Sequence, residues 1–190
     1  MPKEGIFARV LKQGIVKDGD EFTYKPRIIK TKVITLSDRA FNGFYKDKSG
    51  KIIEKRINDF WIENNRLSET DYTLIPDDAE QLKKAVNDAV DSNFDFIFTT
   101  GGTGIGPKDI TPDIIEPMLH KEIPGIMDLI RMKYGANKHS ALISRSIAGL
   151  IGQTQIYCLP GSTKAVNEYM DEILKTVEHS LYMIHQLDLH

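Results

Sequence analysis

The chain runs to 190 residues with a formal net charge of −2, from 25 Lys and Arg against 27 Asp and Glu, and 41% of it is hydrophobic. A chain this long fits one domain plus a short appendage and buries enough surface to do without disulfides or a structural metal. Interspersed, nearly balanced charge excludes a general nucleic-acid binder, and the lack of any apolar run of about 18 residues excludes a membrane-spanning helix.

Residues 1–5 have no apolar core of the kind a secretory signal needs, so the expected location is the cytoplasm. Residues 5–11 and 14–16 read as two strands about a turn at Lys12, Gln13 and Gly14, closed by Asp18, Gly19 and Asp20. Two strands alone are marginal in water. This β extension, residues 1–27, is expected to lean on the main domain, on another chain, or to stay loose.

From residue 30 onward short apolar runs alternate with helix-period segments, which predicts an α/β fold: a mostly parallel sheet between helices, as a three-layer α/β/α sandwich. Residues 32–37 read as a buried strand. A helix follows from near Ser49, with Ile52, Ile53, Ile57, Phe60 and Trp61 on one side, and residues 71–75 read as the next strand. Leu82, Ala85, Val86, Ala89 and Val90 form a helical stripe, with Asp78 and Gln81 as its N-cap signature. Residues 94–100 are strongly β-prone and run straight into Gly101. Thr111 and Pro112 mark a helix start, and another helix is expected from Pro124, carrying Ile126, Ile130 and Met132. Residues 154–159 form a strand broken by Pro160 and Gly161. Val166, Tyr169, Ile173, Val177 and Leu181 predict one long C-terminal helix. Cys158, the single cysteine, sits in an apolar run and is expected to be a buried structural thiol. The histidines lack metal-ligand spacing, so no His or Cys metal site is expected.

The segment that carries chemistry is residues 99–113, TTGGTGIGPKDITPD. Glycines there allow positive φ and close approach of backbone to a ligand, and successive N–H groups in such a loop make a nest for anionic oxygen. Its place after a strand is right, because open α/β sheets bind ligands at the strands' carboxyl ends. Neither standard phosphate motif fits: no Ser or Thr follows Lys108, as a P-loop requires, and Pro107 stops a helix from opening where a dinucleotide-binding loop needs one.

Together with three other blocks this segment closely resembles the MogA/MoaB family of molybdenum-cofactor biosynthesis proteins, bacterial counterparts of the G domains of gephyrin and its plant relative. The blocks are residues 34–40 with Gly43 and Asp47; residues 75–77; residues 99–113; and residues 144–149 followed by 159–165. They stand in family order within residues 30–186. The resemblance implies adenylylation of molybdopterin by ATP with Mg²⁺, a homotrimer, and a molybdenum insertase as a partner. Residues 1–27 weakly resemble the end of a sulfurase C-terminal-type barrel.

The resemblance also assigns roles. Asp109 is implied in catalysis and as the Mg²⁺-organising group, with capping of the helix at Thr111 as the alternative. Asp77 matches a second functional aspartate, or caps a helix together with Asp78. The amides of Gly101, Gly102 and Gly104, with the Thr103 hydroxyl, are expected to hold the pterin-side phosphate; Lys108 either steadies a phosphate or is solvated. Ser37 and Asp38 are expected at the nucleotide, with the metal or a structural turn as the alternatives for Asp38. Ser144 is expected at a polar site edge, and Ser162 at a helix N-terminus that either binds an anion or is simply capped. Residues 160–165 look more like the MoaB branch and residues 99–113 like the MogA branch. A second reading therefore stays open, a non-catalytic pterin-binding or scaffold protein of the same fold.

Overall fold

The computed structural model describes residues 12–186 apart from 22 and 24. β1 (Ile28–Leu36) alternates its side chains between two cores: Ile29 and Val33 face one layer, Ile34 and Leu36 the other. β3 (Phe96–Thr100) and β6 (Thr154–Leu159) do the same, with Phe96, Phe98 and Tyr157 on the first face and Ile97, Ile156 and Cys158 on the second. A strand buried on both faces must be covered on both, which is what its near-continuous apolar sequence implies.

The cover comes from helices. α2 (Ser49–Glu63), α5 (Pro124–Gly135), α6 (Thr163–Ile173) and α7 (Val177–Ile184) pack on the first face. α3 (Ala79–Asp91) and the short α4 (Thr111–Ile115) pack on the second. Trp61 of α2 stands over Phe96, which stacks toward Phe98 and on to Tyr157, so aromatic rings fill the centre of the first core. The six-stranded sheet runs β2-β1-β3-β6-β5-β4, where β2 is Leu67–Ile75, β4 is Lys121–Glu122 and β5 is Ala148–Ile151. β2, β1, β3 and β6 are parallel; β5 and β4 continue the sheet antiparallel. The chain steps from β1 outward to β2, then returns to place β3 on the other side of β1. The helices after β1 and β3 thus lie on opposite faces, which opens a crevice between the carboxyl ends of these two strands.

The architecture is the α/β sandwich the sequence predicts, with local corrections. Residues 14–16 form no strand, and Ile15 and Val16 are exposed; residues 5–11 lie outside those described. On α5 the buried residues are Met127, Ile130 and Gly135, while Met132 faces outward. The predicted long C-terminal helix is two, α6 and α7. All five residues of its stripe are buried, but at the junction the Thr176 amide and hydroxyl both donate to the Ile173 carbonyl, at 2.9 Å each. Such a side chain competes for the helix's own acceptor, and the helix breaks there.

Candidate active site at the carboxyl ends of the strands

Three strand ends, those of β1, β3 and β6, converge at the crevice. β3 delivers Thr100 into Gly101, and β6 delivers Leu159 into Pro160 and Gly161; the Gly101 amide donates to the Leu159 carbonyl at 3.1 Å. Gly101 has φ +103°, and a Cβ there would lie 2.3 Å from the Leu36 carbonyl oxygen at the end of β1. Gly102, at φ +64°, turns the chain outward, and its carbonyl accepts from the Thr111 amide at 3.0 Å. The Thr111 hydroxyl donates to the Gly101 carbonyl at 2.9 Å. The N-terminus of α4 is thereby stitched under the loop, and the carbonyls of Gly101 and Gly102 are turned away from the ligand side.

Arg145 clamps the outer half of the loop. Its amide donates to the Thr103 carbonyl at 2.8 Å and its Nε to the Gly104 carbonyl at 2.7 Å. Its guanidinium reaches the Asp109 carbonyl and grips Asp113 through two bonds, at 2.7 and 2.9 Å. The Arg145 hydrogen bonds hold the Asp113 carboxyl below its ordinary value, against a smaller opposing effect of desolvation. Asp109 folds back so that Oδ2 accepts from the Gly106 amide at 2.8 Å, close over Gly104.

Two clefts open on either side of this ridge. One, of about 410 Å³, is walled by Gly101, Gly102, Thr103, Gly104 and Asp109, by Ser144, and by Ser162 at the start of α6. Seven of the residues expected at the ligand are therefore together. Ser162 also caps α6, accepting from the Ala165 amide at 3.2 Å, and Ser144 shares hydrogen bonds with Ser146 and Tyr169. The other cleft, about 580 Å³, is lined by Ser37, Tyr45, Lys46, Asp47, Thr100 and Thr163, among others. The two meet at Gly161 and at the step from Thr100 to Gly101.

Asp38, Asp77 and Lys108 line neither cleft and form a third group on the rim. The Asp38 and Asp77 carboxylates each accept the other's amide at 3.1 Å, and Lys108 Nζ donates to Asp38 at 2.6 Å. The Lys108 hydrogen bond is the main cause that holds the Asp38 carboxyl below its ordinary value and, reciprocally, Lys108 above its own. Asp77 does not cap α3; Asp78 alone does so, accepting from Gln81 N at 2.8 Å. Ser37 caps the one-turn helix α1 (Asp38–Phe41).

The sequence reading assigned no role to Asp47. Its carboxylate floors the second cleft, accepting from the Thr35, Ser49 and Tyr72 hydroxyls at 2.7–2.8 Å and from the Ser49 and Gly50 amides. Burial works to raise its pKa, but these donors outweigh it and leave the carboxyl below its ordinary value. Its partners come from β1, β2 and α2, so tertiary structure sets its role; the sequence marked Asp47 only as a member of the first family block, before a helix.

Among the described residues no three His, Cys, Asp or Glu side chains gather as a metal cage. Asp109 is the one carboxylate on the wall of the cleft beside the glycine loop that also folds onto that loop, through the Gly106 amide.

Residues 32–179 match a family model described as a probable molybdopterin binding domain. The chain belongs to the MogA/MoaB family of molybdenum cofactor biosynthesis proteins. This MogA/MoaB protein is 32% identical over 163 residues to molybdenum cofactor biosynthesis protein B of Staphylococcus aureus, covering 85% of this chain and 93% of that one. It is 34% identical over 158 residues to a gephyrin of Dictyostelium discoideum, covering 80% of this chain but spanning only 22% of that longer protein. Among solved structures, MoaB of Pyrococcus furiosus, described as tungsten cofactor synthesizing, superposes with a TM-score of 0.74 at 33% identity, over 84% of this chain and 99% of that one. The Mog protein of Mycobacterium ulcerans gives 0.73 at 35% identity, over 82% and 99%. The four blocks read in the sequence thus fall on the strand ends of a MogA/MoaB fold.

Proposed function

We propose that this MogA/MoaB protein adenylylates molybdopterin, with ATP as donor and Mg²⁺ as cofactor. The observation that carries this reading is the meeting of two clefts at Gly161 and the Thr100–Gly101 step, because group transfer between two polyanions requires both to reach one point. A molybdopterin phosphate oxygen would bond to the α-phosphorus of ATP while the bond from that phosphorus to the β-bridging oxygen breaks, and pyrophosphate leaves with the electron pair. The loop from Gly102 to Gly104 offers the pterin-side phosphate its amides and the Thr103 hydroxyl; the Gly101 amide, also expected there, is taken by the Leu159 carbonyl. The first cleft then holds molybdopterin and the second, beside Ser37, the nucleotide. Asp109 stands at the loop's edge, where Mg²⁺, when bound, supplies charge neutralisation between the phosphates. This reading extends to a homotrimer in the cytoplasm that hands its product to a molybdenum insertase.

A second reading, a non-catalytic pterin-binding protein, draws on the rim: Asp38 and Asp77 are engaged with each other's backbone and with Lys108 rather than facing either cleft. Incubation of the purified protein with molybdopterin and MgATP separates the two. Molybdopterin-dependent pyrophosphate release supports the enzyme; molybdopterin binding without release supports the scaffold.

A further inference from the structure

The molybdopterin cleft has a second polar end that the phosphate does not use. Along α6 the wall is built by Ser162, Ala165, Glu168 and Tyr169, at spacings of three and four residues, so they lie on one side of the helix. Ser162 stands at the N-terminus, beside the glycine loop. Glu168 lies six residues further on, about 9 Å along the axis. Ala165 between them leaves room for a flat ligand. The only ion pair of Glu168 among the described residues is with Lys164, at 3.7 Å and with an exposed lysine. A pair this long, with a solvent-exposed lysine, is worth little, so it leaves the part-buried Glu168 carboxylate available.

The cleft therefore offers N–H and hydroxyl donors beside the glycine loop and the Glu168 carboxylate further along α6, with Asp109 at the loop's edge and Lys138 also on its wall. A pyranopterin phosphate carries complementary groups, with its phosphate at one end and, at the far end, a 2-amino-4-oxopyrimidine that presents two adjacent N–H donors. We propose that Glu168 is a specificity residue that accepts hydrogen bonds from the pterin 2-amino group and the neighbouring ring N–H, fixing which way molybdopterin lies. This rests on the proposed molybdopterin site. Adenine lacks that donor pair and presents a ring acceptor beside its amino group, so the same carboxylate rejects ATP from this cleft.

The test is isothermal titration of wild type, Glu168→Gln and Lys164→Ala with two probes, molybdopterin and inorganic phosphate. A charge-assisted bidentate contact is worth roughly 10- to 100-fold in affinity. Glu168→Gln should weaken molybdopterin by that factor and leave phosphate binding unchanged, whereas Lys164→Ala should stay within about twofold of wild type for both. Unchanged molybdopterin affinity in Glu168→Gln, with wild type binding normally, would overturn the assignment of Glu168 alone. Equal weakening of both probes would also overturn it, as the sign of a deformed cleft. A wild-type protein that binds phosphate but no molybdopterin would sink the proposed function and this inference together.

Discussion

Asp38 and Asp77 exchange hydrogen bonds across the ends of adjacent strands, each amide donating to the other's carboxylate at 3.1 Å. The exchange locks the carboxyl ends of β1 and β2 together, and Lys108 ties the glycine loop to the same point. Asp77→Ala leaves the Asp38 amide without its acceptor. It should lower the melting temperature by about 2–4 °C, the worth of one net hydrogen bond in a domain of this size, while Asp77→Asn, which keeps an acceptor oxygen, should not. Scanning calorimetry of the pair checks this.

The same tether has a defined pH window. The Asp38 carboxyl is depressed below 3.8, first by Lys108 and then by the Asp77 amide. A depressed acid stabilises above its unfolded value and loses that contribution as pH falls through its folded one. Loop order, read by amide exchange at residues 104–108, should therefore be constant from about pH 8 to 5 and fall only in stronger acid. A change near pH 6 would show that another group controls the loop.

Asp109→Asn isolates charge from shape. An asparagine oxygen can still accept from the Gly106 amide, which Asp109 now does at 2.8 Å, so the loop stays folded. The anionic group proposed to organise Mg²⁺ is gone. Pyrophosphate release should fall by about 10²–10³, the usual effect of removing one preorganised electrostatic element, with molybdopterin affinity nearly unchanged. Equal loss of binding and turnover would mean that Asp109 acts through loop structure alone.

Gly101→Ala and Gly102→Ala should differ in stability. The Gly101 Cβ would meet a backbone carbonyl at 2.3 Å, which cannot yield without moving β1, and its φ of +103° is one that side-chain-bearing residues avoid. The Gly102 Cβ would meet the Thr111 hydroxyl at 2.5 Å, a side chain that can turn, at a milder φ of +64°. Urea unfolding should place Gly101→Ala lower by about 1–3 kcal/mol, with Gly102→Ala losing phosphate binding more than stability.

Cys158 is fully buried, and burial pushes its thiol up to about 12. Since the thiolate is the reactive form, an aromatic disulfide reagent at pH 8 should label native protein no faster than it unfolds globally. Rapid labelling of folded protein would show local opening of β6.

The residues alone determined the order and kind of the main elements. Helical stripes such as Leu82, Val86 and Ala89, the Asp78 cap and the apolar run of β6 are local patterns with local causes. The glycine loop was legible for the same reason, since its conformation needs glycines wherever it sits. Tertiary structure decided what spans long separations. Asp38 meets Asp77 across 39 residues and Lys108 across 70, and Asp47 gathers donors from three elements. β4 is two exposed residues, Lys121 and Glu122, which become a strand only because β5 lies beside them. The break between α6 and α7 leaves the apolar stripe intact, because both halves bury the same side against one sheet. Periodicity records which face is buried; it does not record where hydrogen bonding stops or which distant carboxylates share a rim.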